Sequence, residues 1–188
     1  MNILGMSGTP RKGGNSELLL NAALEPFIEA HWNIKRVLIS EKTVNPCVGC
    51  EYCNDNQGCC INDDMQEIYE AYHWCNAVII SSPSYWRNVP AQLKAVFDRT
   101  HAAKCRPLKG KLGGAIAVGR STGGGGQTDV LTDIHNFYLS CGMLCVPGEM
   151  NGVVASADKP GDILSQPRRL EQARVLGKNI IAYCAKQP

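Results

Sequence analysis

Short, almost wholly apolar runs alternate along this chain with longer stretches whose apolar residues recur at helical spacing. Ile3-Leu4-Gly5-Met6, Ala77-Val78-Ile79-Ile80 and the run from Leu112 to Val118 are apolar or small throughout, the pattern of parallel strands covered on both faces. Trp32 to Ser40 mixes polar residues into the run and predicts a strand at a sheet edge. A fifth strand is expected near Met143 to Val146, followed by an irregular stretch from Pro147 to Pro167. Leu19, Leu20, Ala23 and Phe27 mark a first helix over about Ser16 to Ala30, which Pro26 is expected to kink or split. Asp64 as N-cap and Glu67 three residues on form a capping-box pattern that opens a helix carrying Met65, Ile68, Tyr69 and Tyr72. Further helices are expected from about Asn88, with Pro90 in the first turn, from Thr128 to Cys141 and from Arg168 to Ala185.

Five strands alternating with helices define an α/β protein with an open parallel sheet, and right-handed crossovers leave few topologies. The natural order for five is 2-1-3-4-5, a flavodoxin-like three-layer sandwich. The 188 residues then make a single domain with a cysteine-rich insertion at about 45–62. In such a sheet a ligand binds outside the carboxyl ends of the strands, at the switch point between the first and third. The loops there are residues 7–16, 82–88 and 119–127.

These three loops are the stretches least like ordinary connectors. In the first, Ser7-Gly8-Thr9-Pro10-Arg11-Lys12-Gly13-Gly14-Asn15-Ser16 leads into a helix start. Glycines without a Cβ let backbone N–H groups approach an anion, the helix directs its unpaired donors and positive dipole end at the same place, and Ser7, Thr9, Asn15 and Ser16 add side-chain donors. The loop fits neither G-x-G-x-x-G nor G-x-x-x-x-G-K-[ST], so one terminal phosphate, as in FMN, suits it better than a dinucleotide or a nucleoside triphosphate. In the second, Pro83, Ser84, Tyr85 and Trp86 offer a rigid aromatic wall for a flat ring, with Asn88 able to bond its polar rim. In the third, Gly119, Gly123 and Gly124 admit close main-chain approach and Gln127 closes the site. Singly, each reads as well as a polar connector, a core-capping aromatic or a flexible turn; their gathering at one sheet end favours a binding site.

The formal net charge of +2, with the two signs interspersed, argues against nucleic acid as a partner. No secretory leader pattern and no bilayer-length apolar run is present in the sequence, so a cytoplasmic protein is expected, without a membrane partner. Five of the ten cysteines crowd into residues 47–60, which in such a chain points to metal or redox chemistry. Cys47, Cys50 and Cys53 stand in C-x-x-C-x-x-C spacing, with Cys59 beyond them. Three thiolates so spaced wrap one face of a 4Fe-4S cube and a fourth completes it; zinc remains an alternative. Cys60, next to Cys59, leaves the fourth ligand open. Cys75, Cys105, Cys141, Cys145 and Cys184 are scattered and read as small apolar residues.

The loop from Ser7 to Ser16, the run Ser82-Pro83-Ser84-Tyr85-Trp86-Arg87-Asn88-Val89-Pro90-Ala91-Gln92-Leu93-Lys94 and the loop from Gly119 to Gln127 together resemble the NAD(P)H-dependent FMN reductase group of flavodoxin-like proteins, and more narrowly the iron–sulfur flavoproteins, whose compact cysteine motif the 47–59 run resembles. The resemblance extends over nearly the whole chain; Arg120 departs from it. It implies an FMN-dependent oxidoreductase in which no side chain is the chemical catalyst. Electrons pass from NAD(P)H or a low-potential carrier through FMN, with a 4Fe-4S cluster, to a small-molecule or small-protein redox partner. It also implies a homodimer or homotetramer in which a neighbouring subunit helps to cover the ring. Two other readings stand beside it: an NAD(P)H-dependent FMN or quinone reductase without a cluster, and a non-catalytic carrier or zinc-braced module.

Overall fold

The computed structural model describes residues 1–104, 106–120 and 126–186. β1 (Asn2–Ser7) lies between β2 (Asn33–Leu38) and β3 (Ala77–Pro83), and β4 (Leu112–Gly119) follows β3. Outside β4 run β5 (Leu144–Cys145) and β6 (Val153–Ser156). All these pairings are parallel, and the order is 2-1-3-4-5. The purely apolar runs became the interior strands: every residue of β4 is buried, whereas in β2 at the edge Val37 alone is fully buried.

Side chains alternate across the strands, as a period of two requires. Leu4, Met6, Val78 and Ile80 face one layer with α3 (Met65–Trp74), α4 (Ala91–Arg99) and α5 (Gln127–Ser140). Ile3, Ala77, Ile79 and Ile116 face the other, with α1 (Asn15–Glu29) and α6 (Pro167–Cys184). α1 and α6 pack at backbone contact. A Cβ on Gly177 would stand 2.3 Å from the carbonyl oxygen of Ala23, so only glycine admits this approach.

Three expectations are corrected. α1 is not split at Pro26: the proline lies in its last turn and forgoes one bond, that of its own missing N–H to the Ala22 carbonyl, which leaves the helix continuous to Glu29. The fifth strand is split: β5 keeps two residues, and residues 146–152 loop out before β6 resumes the same lane against β4, inside the stretch expected to be irregular. α3 begins where predicted but without the capping box. Asp63, not Asp64, accepts the Met65 N–H at 3.1 Å; Asp64 accepts the Thr43 N–H at 2.6 Å, and Glu67 pairs with Lys42. The start of α3 thus pins the base of the cysteine loop, which contains one short helical turn, α2 (Tyr52–Asp55).

Candidate functional site

The carboxyl ends of β1, β3, β4 and β6 meet around a cleft of about 460 Å3. From the first loop and the first turn of α1 come Thr9, Arg11, Gly14, Asn15 and Ser16; from the end of β3 come Pro83, Ser84, Tyr85 and Trp86; from the end of β4 come Val118, Gly119 and Arg120. Ala157, Asp158 and Pro160, beyond β6, form the remaining wall.

The first loop reaches its shape by internal bonds. Gly8 N–H donates to the Ser81 carbonyl at 2.8 Å, Arg11 N–H to Thr9 Oγ1 at 3.2 Å and Gly13 N–H to the Glu17 carboxylate at 2.8 Å. The glycines therefore shape the loop more than they serve an anion. A Cβ on Gly8 would stand 2.4 Å from Leu93, and Gly13 has φ +65°. What remains for an anion is the first turn of α1, which carries no side-chain cap and opens on the cleft, with the Arg11 charge beside it. Ser7, at the root of this loop, is buried with no partner for its Oγ.

Nine of the residues singled out from the sequence line the cleft: Thr9, Arg11, Asn15, Ser16, Pro83, Ser84, Tyr85, Trp86 and Gly119. Asn15 does so with its amide engaged elsewhere. Its Nδ2 donates to the Lys159 carbonyl at 2.8 Å, and its Oδ1 accepts the Gly161 and Ile163 N–H groups at 3.1 and 3.3 Å. Among the described residues, Ser7, Pro10, Asn88 and Gln127 are not part of the lining. Asn88 caps its own turn, its Oδ1 accepting the Val89 N–H at 2.9 Å. Gln127 is buried and donates to Ser156 Oγ at 3.1 Å, which ties α5 to the end of β6. Gly123 and Gly124 lie outside the described residues.

The aromatic wall is an unusual turn. Tyr85 and Asn88 exchange backbone hydrogen bonds of 2.8 and 3.1 Å across Trp86 and Arg87, whose φ values of +49° and +64° are both left-handed. That is a type I′ turn, which ordinarily takes Asn-Gly. Here it holds a tryptophan that is 100% exposed at the rim of the cleft. Arg87 pairs with Asp129 at 2.7 Å and steadies the turn. Opposite, Arg120 pairs with Asp158 at 2.6 Å. The wall at 157–160 was missed in the sequence; its signal was the short apolar run Val153-Val154-Ala155 ending in a Pro160-Gly161 turn.

A second hollow, of about 30 Å3, lies under the cysteine loop. Cys47, Cys50, Cys53, Cys59 and Cys60 all line it. Cys53 and Cys59 are half-buried against the core, while Cys47, Cys50 and Cys60 are exposed. Cys50 and Cys60 stand 3.4 Å apart, sulfur to sulfur. The Tyr52 N–H, then the Cys60 thiol, pull the Cys50 thiol below its ordinary range, and the same contact pushes Cys60 up. Among the described residues, no three Cys, His, Asp or Glu side chains stand as a ready site for one metal ion. The donor set nonetheless suits an iron–sulfur centre, five soft thiols around an apolar hollow.

Arg99 closes the base of this loop from the end of α4. Its buried guanidinium donates from Nη1 to Asp63 Oδ2 at 2.5 Å and to the Asn45 carbonyl at 3.3 Å, and from Nη2 to the Ile61 carbonyl at 3.0 Å. Burial by itself raises the Asp63 carboxyl, but Arg99 and the N–H groups of Asn45 and Met65 outweigh it and bring the group down to about 2. Tyr69, whose hydroxyl donates to the Arg99 carbonyl at 2.7 Å, is pushed up to about 12, chiefly by burial.

An open parallel sheet of order 2-1-3-4-5, with a helix-capped polar cleft at its β1–β3 switch point, defines a flavodoxin-like protein. Its fold matches that of an NAD(P)H:quinone oxidoreductase from Methanothermobacter marburgensis with a TM-score of 0.70 at 19% identity, over 96% of this chain and 97% of the other. In sequence it is 37% identical over 185 residues to an iron–sulfur flavoprotein of Methanocaldococcus jannaschii, 96% of this chain and 95% of that one. It is 43% identical over 148 residues to an iron–sulfur flavoprotein of Methanosarcina thermophila, 78% of this chain and 77% of the relative. Residues 1–155 match the NADPH-dependent FMN reductase family, and the chain belongs to that family of oxidoreductases. No helix among the described residues is long and apolar enough to cross a membrane.

Proposed function

We propose that the cleft holds FMN and that the protein passes electrons from a reduced nicotinamide or low-potential carrier, through the flavin and a 4Fe-4S cluster in the cysteine loop, to a small-molecule or small-protein acceptor. The observation that carries this reading is the cleft itself: an uncapped helix start beside Arg11 at one end and the Pro83–Trp86 wall at the other. Gly14, Asn15 and Ser16 would hold the terminal phosphate, since N–H donors and dipole there favour an anion. Thr9 shapes the loop by accepting the Arg11 N–H, and Asn15 fixes the far wall by gripping residues 159–163. Pro83, Ser84, Tyr85 and Trp86 would form the wall for the flat ring. Bound FMN supplies the redox chemistry, exchanging electrons in pairs or singly, and the chain contributes position and electrostatics.

The names of the relatives support a cluster, and Cys47, Cys50, Cys53 and Cys59 are its proposed ligands. A homodimer or homotetramer is the proposed assembly, since Trp86, Met150 and Leu164 are exposed apolar side chains that a second subunit would cover. Anaerobically purified protein is expected to be brown, with one flavin and four irons with matching acid-labile sulfide per chain. A yellow, iron-free protein that NADPH bleaches would leave the flavin reading and remove the cluster. Zinc without flavin would overturn both.

A further inference from the structure

A cation buried beneath five thiols requires an explanation. The Arg99 side chain is 0% exposed, at the end of α4, and it is the permanent cation among the described residues lining the cysteine hollow. The other ionisable groups there besides the thiols and Tyr52 are Glu51 and Asp98, which are acidic, and His101. Asp98 is already paired with Lys94 at 2.6 Å.

Part of the arrangement is a clasp. Nη1 and Nη2 reach Asn45 on one side of the loop and Ile61 and Asp63 on the other, so one guanidinium ties both ends of the cysteine segment to the core. A clasp alone would leave no donor idle, because an unpaired buried N–H is destabilising. Yet Arg99 Nε is buried without a partner. Arg99 lines the same hollow as Cys59 and the four other thiols, so its buried charge stands in the wall that the sulfurs share.

We propose that Arg99 is a positioning residue that raises the reduction potential of the iron–sulfur centre, by placing a fixed, buried positive charge in the wall of the hollow that the five cysteines line. This rests on the cluster reading above. A centre ligated by four thiolates is negative overall and gains one further negative charge when it takes up one electron. A nearby cation stabilises the reduced form more than the oxidised one, and low local polarity strengthens the effect. Asp63 opposes it, since its carboxylate lies 2.5 Å from the same guanidinium. The two residues form a charge pair that holds the loop and sets the potential between them.

Opposite signs separate this role from a purely structural one. Anaerobically purified holoprotein is titrated potentiometrically with dithionite as the electron donor, following the paramagnetic reduced centre, with iron and sulfide assayed for each variant. Arg99→Gln is expected to shift the one-electron equilibrium about tenfold toward the oxidised form, a potential about 59 mV lower. Asp63→Asn is expected to shift it the other way, and Arg99→Lys to fall between wild type and Arg99→Gln. Shifts of the same sign in Arg99→Gln and Asp63→Asn, or unchanged potentials with iron and sulfide retained, would overturn the proposal and leave the cluster reading intact. If Arg99→Gln loses its iron, Asp63→Asn decides alone: a rise supports the role, and a fall or no change refutes it. Wild-type protein without iron and sulfide would remove the cluster reading, and this proposal with it.

Discussion

Asp63 carries three jobs on one carboxylate: it receives Arg99, accepts the Asn45 N–H at 2.9 Å and caps α3 through Met65. Against the effect of burial, Arg99 and the backbone N–H groups bring it down to about 2 from the ordinary 3.8, so the folded chain holds the ionised form more tightly than the unfolded chain does. The stabilisation is complete above pH 4 and is lost as the pH falls through 2; a shift of this size is worth about 2 kcal/mol. Urea unfolding of wild type and Asp63→Asn across pH 2–7 is expected to show a gap that closes toward the acid end, and a pH-independent gap would contradict this assignment. Trp86 offers a second test at this scale. Its left-handed backbone carries a strain of about 1–2 kcal/mol in a non-glycine residue, and its fully exposed ring has no packing to lose. Trp86→Gly is expected to keep or slightly raise the urea midpoint while weakening FMN binding, and a clear fall in stability would contradict it. The place of Trp86 beside the cleft was legible in the sequence; its left-handed turn and the role of Asp63 were not. Choosing Asp64 over Asp63 as the cap followed the local pattern, but the choice is made by Arg99, 36 residues along the chain, and by Thr43, which takes Asp64.

Among the elements, the strands with uniform apolar runs were readable because burial on both faces leaves no room for polar residues. β1, β3 and β4 follow those runs closely. Of the outer lane, β5 falls within the strand expected near Met143 to Val146, whereas β6 was not readable, since its four residues are too few to establish a period against their loops. Its position mattered to the site, because residues 157–160 at the end of β6 make one wall of the cleft. The contact between α1 and α6 was equally hidden: Gly177 looks like a flaw in a helix until Ala23 is placed against it. Gly177→Ala gains about 1 kcal/mol of helix propensity, but its Cβ would meet a carbonyl oxygen at 2.3 Å. Overpacking of that kind costs about 1–3 kcal/mol. A net loss of stability in thermal unfolding is therefore expected; a more stable variant would show that the two helices part easily.

In the whole molecule, the cleft lies at one end of the sheet. The topology brings the β1, β3 and β4 loops together, as the alternation of strands and helices predicted, and membership of the FMN reductase family agrees with what gathers there. The cysteine loop follows β2 and is joined to the frame by Arg99 and by the pairing of residues 43–45 with Asp63 and Asp64. The central claim is that this cleft seats FMN by its phosphate, and titration of flavin-free protein with FMN, followed by quenching of flavin fluorescence, tests it most directly. Saturation at one FMN per chain is expected, weakened about tenfold in Arg11→Ala by loss of a charge-assisted contact. Folded protein that does not saturate with FMN, or that binds it equally well without Arg11 and with the first turn of α1 blocked by Ser16→Asp, would contradict the account.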